Sequence, residues 1–322
     1  MKIGNIKLRH GLALAPMAGF TDRAMRRVCR DFGAEYSTTE MVSAKAVVYN
    51  DKKTFSLARI LADEGEVAIQ IFGSEPDIMA EAAARLAHPK EGVAPVAIDI
   101  NMGCPVNKIF SNGEGSALMR SPDLIYRITE RVRASVDIPV TVKLRAGVDK
   151  DSVNAVTCAL AAEAGGASMI CVHGRTRAQM YGGTVDKEII KNVKSSVKIP
   201  VVANGDIIGA REAVDMLSYT GADGIAIGRG AIGNPFIFSE ILGELSGDVP
   251  PEPTLEERAE TALLQLRLAI EDKGEARAVP EARKQIALYL RHFHGAAGLR
   301  AAINRATSYS EVERILRAAL AK

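Results

Sequence analysis

The chain has four cysteines, Cys29, Cys104, Cys158 and Cys171, and they make neither a CxxC pair nor a metal-ligand cluster. That leaves no basis for a disulfide framework or a cysteine-bound metal, and suits isolated thiols in a reducing compartment. No apolar run approaches the length of a membrane span. "MKIGNIKLRHGLALAPMAGF" has the basic-then-apolar order of a signal peptide, but Pro16 interrupts the apolar part and the segment reads as a first core strand. A cytoplasmic protein, with no metal and no membrane contact, is expected. GxGxxG is also missing after the first strand, which argues against a doubly wound dinucleotide-binding sheet. Beyond the strand–helix unit there is no internal repeat, and no low-complexity tract.

What is present is the composition of a soluble globular chain: 322 residues, 47% hydrophobic, 25% charged, mean hydropathy +0.04. The net charge of +2 is unevenly spread, because residues 257–322 carry 12 Lys/Arg against 8 Asp/Glu and leave the preceding part at −2. Between Ala276 and Ser310 there are six basic residues and a single acid, Glu281. A basic appendage on a slightly acidic body suits an anionic macromolecular partner, although most such runs are solvated helix faces.

Short apolar runs alternate with amphipathic stretches. Strands are expected at Leu12–Ala15, Tyr36–Thr39, Ala68–Phe72, Ala97–Ile100, Pro139–Leu144, Met169–Val172, Pro200–Ala203 and Gly224–Ile227. Helices are expected at Glu75–His88, Pro122–Ser135, Asp151–Ala164, Lys187–Ser196 and Ala210–Tyr219. Strand–helix units in this number and length predict an α/β fold, a (β/α)8 TIM barrel. "SGDVPPEPTLEER" reads as a Pro-rich linker, followed by helices over Glu257–Glu271, Glu281–Arg291 and Ser310–Ala321. The expected organisation is a barrel over 1–245, a linker over 246–256 and a helical domain over 257–322.

Barrel chemistry sits at the C-terminal strand ends. Those ends carry Pro16-Met17, Glu40, Gln70, Asn101 with Cys104, Lys143 with Arg145, His173 with Arg175, Asn204-Gly205-Asp206 and Gly228-Arg229. The glycines of "ANGDI" and "IGRGAIGNP" let backbone amides approach a phosphate. Lys143, pointing inward, has no obvious acidic partner in the sequence, and an unpaired buried ammonium is unfavourable. Two ligands would meet it: a carbonyl substrate forming a Schiff base, or a flavin whose reduced ring is anionic. Three cysteines fall within helix or strand patterns; Cys104 alone lies on a loop, in "DINMGCPVNK", which favours an acid–base or nucleophilic role.

"LAPMAGFTD", "VAIQIFGSEP", "DINMGCPVNK", "VTVKLRAG", "VHGRTR", "VVANGDI" and "IGRGAIGNP" together resemble the tRNA-dihydrouridine synthases, with the bacterial B-type branch the best match. The resemblance runs from about Leu12 to Phe236 and, more loosely, through the helical tail. It implies an FMN enzyme that reduces the 5,6 double bond of tRNA D-arm uridines with NADPH as donor. Pro16, Met17 and Ala18 would lie along the flavin, Gln70 would bond its pyrimidine edge, and Lys143 with His173 would face the reduced ring. Asn204, Gly205, Asp206, Gly228 and Arg229 would hold the phosphate. Cys104 would be the general acid, while Asn101, Arg145 and Tyr181 would contact the uridine. Lys284, Arg291, Arg300 and Arg305, with His292 and His294, would meet tRNA phosphates, and a monomer is expected. One departure is the absence of a tryptophan common after the segment matching "RTRAQMYGG", where this chain reads Thr184-Val185-Asp186. Rival readings are a dihydroorotate dehydrogenase-like enzyme on a free pyrimidine, a Schiff-base aldolase using Lys143, and a tRNA-binding protein with a structural flavin.

Overall fold

The computed structural model describes residues 1–290 and 295–320. A hairpin of β1 (Lys2–Ile3) and β2 (Ile6–Lys7) precedes β3 (Leu12–Leu14), α1 (Arg23–Asp31), β4 (Tyr36–Thr38), β5 (Val42–Ser43), α2 (Ala44–Val48) and α3 (Lys52–Ala58). The chain continues through β6 (Val67–Phe72), α4 (Pro76–Ala87), β7 (Ala97–Asn101), α5 (Asn107–Ser111), α6 (Pro122–Ser135), β8 (Val140–Arg145), α7 (Ala155–Ala164) and β9 (Met169–His173). The barrel closes after α8 (Lys187–Ser196), β10 (Val201–Asn204), α9 (Ala210–Thr220), β11 (Gly224–Ile227) and α10 (Ile237–Ser246). Four helices follow: α11 (Leu255–Lys273), α12 (Glu275–Ile286), α13 (Ala296–Ile303) and α14 (Tyr309–Leu320).

Strands β3, β4, β6, β7, β8, β9, β10 and β11 pair in parallel around a closed ring, β11 returning to β3. The expected (β/α)8 barrel is the observed one. Its strands alternate strictly, as the two-residue period of a strand requires. In "VTVKLR", Val140, Val142 and Leu144 enter the layer between barrel and helices, while Thr141, Lys143 and Arg145 point inward. In "AIDIN", Ile98 and Ile100 face the helices and Asp99 and Asn101 face the axis. Each fully buried Ile, Leu or Val in that outer layer contributes about 1.5–3 kcal/mol of burial.

The base of the barrel is closed by the hairpin, whose Ile3 and Ile6 pack with Ala13, Ala68, Ala97 and Met169. Gly4, at φ +57°, makes the turn, and a Cβ there would stand 2.5 Å from Pro139. This plug is absent from the expected elements, since strands of two residues leave no periodic trace. Two helices also differ. α7 begins at Ala155 rather than Asp151, because Asp149 and Ser152 hold a turn in which Ser152 Oγ donates to Asp149 Oδ1 at 2.8 Å. α12 runs Glu275–Ile286 rather than Glu281–Arg291, starting at the left-handed Gly274 and carrying Pro280 within it.

The tail helices share a core of their own, including Leu263, Leu266, Ile286, Tyr289 and Leu316, joined to the barrel by the edge-to-face pair Phe32–Phe236 at 4.5 Å. α11 starts with a capping box between Thr254 and Glu257 and packs on α1. Lys273 pairs with Asp22 at 2.7 Å, and Gln285 donates to the Phe20 carbonyl at 3.2 Å. The tail is therefore seated against the loop that leaves β3, at one side of the barrel mouth. Among the described residues no helix is long and apolar enough to cross a membrane. Arg291, His292 and His294 lie outside the described residues.

Candidate active site

Cys104 follows β7 on a loop held from three directions. Asn101 Oδ1 accepts from the Cys104 N–H at 2.9 Å and the Gly103 N–H at 3.2 Å. Ser116 Oγ donates to the Cys104 carbonyl at 2.7 Å. Arg145 Nε donates to the Gly103 carbonyl at 2.8 Å. Gly115, at φ +60°, presses against the cysteine so closely that a Cβ would stand 2.9 Å from Cys104 Cβ. The side chain is 8% exposed. Burial pushes its pKa up, outweighing the Val106 backbone N–H and the Arg145 and Lys143 charges that stabilise the thiolate. The thiol is therefore protonated at neutral pH and is a donor. Cys29, Cys158 and Cys171 are buried in α1, α7 and β9.

Lys143 Nζ donates to Asn204 Oδ1 at 3.1 Å and joins no ion pair among the described residues. Asn204 is fixed in turn by donating to the Ala226 carbonyl at 2.7 Å. Burial and the Arg145 charge lower the lysine's pKa, while Asp99 on the adjacent strand opposes them. The expectation of no acidic partner in the sequence needs this amendment: Asp99 supplies a nearby counter-charge without bonding to the ammonium.

His173 is buried among Lys143, Arg145, Arg175 and Arg229. Desolvation first, then those four charges, takes its pKa down to about 2. Its Nε2 lies 3.4 Å from Arg175 Nη1. A guanidinium has no acceptor, so Nε2 accepts and the proton resides on Nδ1. His173 is thus a neutral ring with one N–H to offer.

Arg175, noted in the sequence without a role, organises the far rim. It pairs with Asp206 at 2.7 Å and donates to the Gly182 and Gly183 carbonyls at 3.0 and 2.6 Å. Arg145 holds the same loop by donating to the Thr176 and Met180 carbonyls at 3.0 and 2.9 Å. Tyr181 on this loop is half exposed, its ring 5.0 Å from the Arg229 guanidinium and 5.8 Å from that of Arg145.

Around the ring, β7 and β11 stand four strands apart, on opposite sides of the mouth. The glycines of β10 and β11 are thus across from Cys104. Gly205, at φ +123°, lies so near His173 that a Cβ would meet its ring at 2.9 Å. A Cβ on Gly228 would stand 3.6 Å from Met17 Sδ, placing the Pro16-Met17-Ala18 turn beside that end. The turn is tied by Thr21, whose Oγ1 accepts from the Met17 N–H at 3.0 Å, and by the Gly19 N–H donating to Glu40. Asp206 accepts from the Val185 N–H at 2.9 Å and lies between Arg175 and Arg229, so its charge is neutralised before any anion arrives.

One residue escaped the sequence reading. Asp99, 4% exposed, accepts from Gln70 Nε2 at 2.7 Å and Thr141 Oγ1 at 2.5 Å. Gln70 Oε1 accepts from Asn101 Nδ2 at 2.9 Å. The signal available was alternation, since Asp99 and Thr141 occupy the inward positions just below Asn101 and Lys143.

Fold and site together define a (β/α)8-barrel enzyme with its polar chemistry gathered at the C-terminal mouth. The profile of the family described as "Dihydrouridine synthase (Dus)" matches residues 13–322. The chain belongs to the dihydrouridine synthase family of oxidoreductases. It is 41% identical over 305 residues to a protein of Vibrio cholerae named tRNA-dihydrouridine synthase B, covering 94% of each chain. A Pasteurella multocida protein of the same name is 38% identical over 312 residues, covering 97% of this chain and 93% of its own. A Rickettsia bellii protein named "Probable tRNA-dihydrouridine synthase" is 40% identical over 306 residues, covering 94% and 93%. Family membership sets aside the aldolase and free-pyrimidine readings.

Proposed function

We propose that this chain reduces the 5,6 double bond of uridines in the D-arm of tRNA, using FMN in the barrel mouth and electrons from NADPH. The observation that carries the reading is Cys104, held by its backbone on a loop at one lip, across the mouth from the glycines that follow β10 and β11. The residues fit a flavin. Among the described residues Lys143 Nζ bonds only to an amide oxygen, and Gly228 leaves room that a side chain would fill, the nearest atom to an added Cβ being Met17 Sδ at 3.6 Å.

Gly205, Gly228 and Arg229, with Asn204 and Asp206 behind them, would hold the phosphate. Pro16, Met17 and Ala18 would border the ring. Gln70 has one Nε2 hydrogen left to donate to its pyrimidine edge, and Lys143 would balance its negative charge. The chemistry that a flavin held there would supply is hydride transfer to C6 of the uracil. Cys104 Sγ–H gives its proton to C5, which completes the saturation of the double bond. His173, neutral with Nδ1–H, donates a hydrogen bond without adding a charge. Arg145 and Tyr181 frame the space for the base, and Asn101 retains one amide hydrogen for it.

A uridine stacked in folded RNA cannot reach this mouth, so the base must be turned out of its stack. Lys284 supports the orientation of the RNA: its ammonium lies 4.3 Å from the Phe20 ring, on the loop bordering the mouth. Arg300 and Arg305, on or just after α13, would add phosphate contacts.

The test is an anaerobic spectrum in two steps. NADPH bleaches the flavin band of the FMN-loaded protein, and unmodified tRNA transcript then restores it while free uridine and dihydroorotate do not. A protein that takes up no FMN, or a band that tRNA fails to restore, overturns the proposal.

A further inference from the structure

Four side chains form a single hydrogen-bonded line across three strands, from the Cys104 loop down into the barrel. The Gly103 and Cys104 N–H groups donate to Asn101 Oδ1; Asn101 Nδ2 donates to Gln70 Oε1; Gln70 Nε2 donates to Asp99 Oδ2; Thr141 Oγ1 donates to Asp99 Oδ1. Asn101, Gln70, Asp99 and Thr141 are all buried. The two ends of this line have fixed polarity. Backbone N–H groups only donate. At the other end burial raises the Asp99 pKa, the Thr141 and Gln70 hydrogen bonds and the Lys143 charge favour the carboxylate, and both of its oxygens accept in this arrangement. Between them lie two amides, each of which could be turned over, and only one orientation of each satisfies both ends.

We infer that Asp99 is a positioning residue: its carboxylate sets the orientation of the Gln70 and Asn101 amides and thereby holds the Cys104 loop in place. The consequence for catalysis rests on the reading of Cys104 as the proton donor. The consequence for the loop does not. Turning the Gln70 amide over would present its N–H to Asn101, and Asn101 would then have to offer Oδ1 to Gln70 and an N–H to the loop. Donor would face donor at Gly103 and Cys104, leaving buried groups unsatisfied, and the loop would move.

The line also says which substitutions break it. Asp99→Leu leaves Gln70 Nε2 and the Thr141 hydroxyl without their acceptor. Asp99→Asn keeps the line, because its Oδ1 can accept from Gln70 while its Nδ2 donates to the Thr141 hydroxyl, which both donates and accepts.

Alkylation of Cys104 by iodoacetamide, followed by mass spectrometry of each cysteine, reads the loop without requiring turnover. Cys29 and Cys158 are internal controls because both lie away from the line, fully buried in α1 and α7. In Asp99→Leu, Cys104 alkylation is expected to rise about tenfold, the worth of one broken buried hydrogen bond. In Asp99→Asn it is expected to stay within about threefold of the parent, because an acceptor for Gln70 is kept. An Asp99→Leu chain that alkylates at the parent rate, or an Asp99→Asn chain that alkylates as fast as Asp99→Leu, overturns the inference. Should Asp99→Leu fail to fold, Gln70→Leu, which cuts the same line one bond nearer the loop, is read by alkylation in its place with the same two outcomes. The tRNA-dependent reoxidation is measured alongside, where Asp99→Leu slows. A parent chain that never reoxidises with tRNA removes the proposed function and leaves the alkylation result to stand by itself.

Discussion

Replacing Cys104 by alanine separates catalysis from folding. The bonds that shape the loop go to the backbone of Cys104 and to Gly103, from Asn101, Ser116 and Arg145. They survive the substitution, and only the sulfur and its contacts are lost. Removing one buried heavy atom destabilises by roughly 1 kcal/mol, too little to unfold a domain of ordinary stability. Loss of a positioned general acid lowers the rate by about 10²–10⁴-fold. At 1.36 kcal/mol per decade that is roughly 3–5 kcal/mol of transition-state stabilisation, so the kinetic effect exceeds the structural one severalfold. In stopped-flow spectra of the FMN-loaded protein, bleaching by NADPH should be unchanged, and reoxidation by tRNA should slow by that factor. The pH profile adds an independent check. Because burial raises the thiol pKa, the parent's reoxidation rate should be flat through neutrality and decline only on the alkaline side, as the thiol ionises. An alanine variant that reoxidises within about threefold of the parent would refute the assignment of the proton to Cys104.

Arg26 and Glu64 form a fully buried pair at 2.6 Å, and Arg26→Met leaves the carboxylate with the Leu61 N–H but without its cation; urea unfolding should show a loss of about 3–5 kcal/mol, and a loss below about 1 kcal/mol would contradict the burial argument. His173 has a folded pKa near 2 against about 6.5 unfolded. Its contribution to stability is therefore present above about pH 6.5 and is lost as pH falls toward 2. The parent's melting temperature should accordingly drop more between pH 7.5 and pH 5 than that of His173→Gln, and equal drops would count against it. Gly205→Ala places a Cβ 2.9 Å from the His173 ring at φ +123°; flavin fluorescence titration should show FMN affinity down by about tenfold or more, from roughly 1–3 kcal/mol of strain. Arg305→Ala should weaken tRNA binding at low salt and reduce the slope of log K against log salt by about 1; an unchanged slope removes it from the interface.

Much of the architecture was legible because it rests on short-range patterns. Eight apolar runs, separated by helical stretches, are enough to call for parallel strands with crossovers, and a parallel sheet of that number closes. Cys104 stood apart because glycine before it and proline after it exclude a strand or helix interior. The elements that escaped are those without a pattern. The two-residue strands of the basal hairpin have no period, the helix expected from Glu281 begins at Glu275 with Pro280 inside it, and the turn held by Asp149 and Ser152 delays α7.

The sequence by itself determined the alternation within each strand, and with it which residues face the axis: an Ile-Asp-Ile-Asn run can bury its aliphatics against helices only by turning Asp99 and Asn101 inward. It could not determine who meets whom across strands, because that depends on register, and register is settled by closure of the ring. Only the tertiary structure brings Gln70, Asp99, Asn101 and Thr141 into one line and encloses His173 among Lys143 and three arginines. The same closure decides protonation. Burial in a water-poor mouth keeps the Cys104 thiol neutral and the His173 ring uncharged, and neither state can be read from residue types, since desolvation belongs to the assembled barrel.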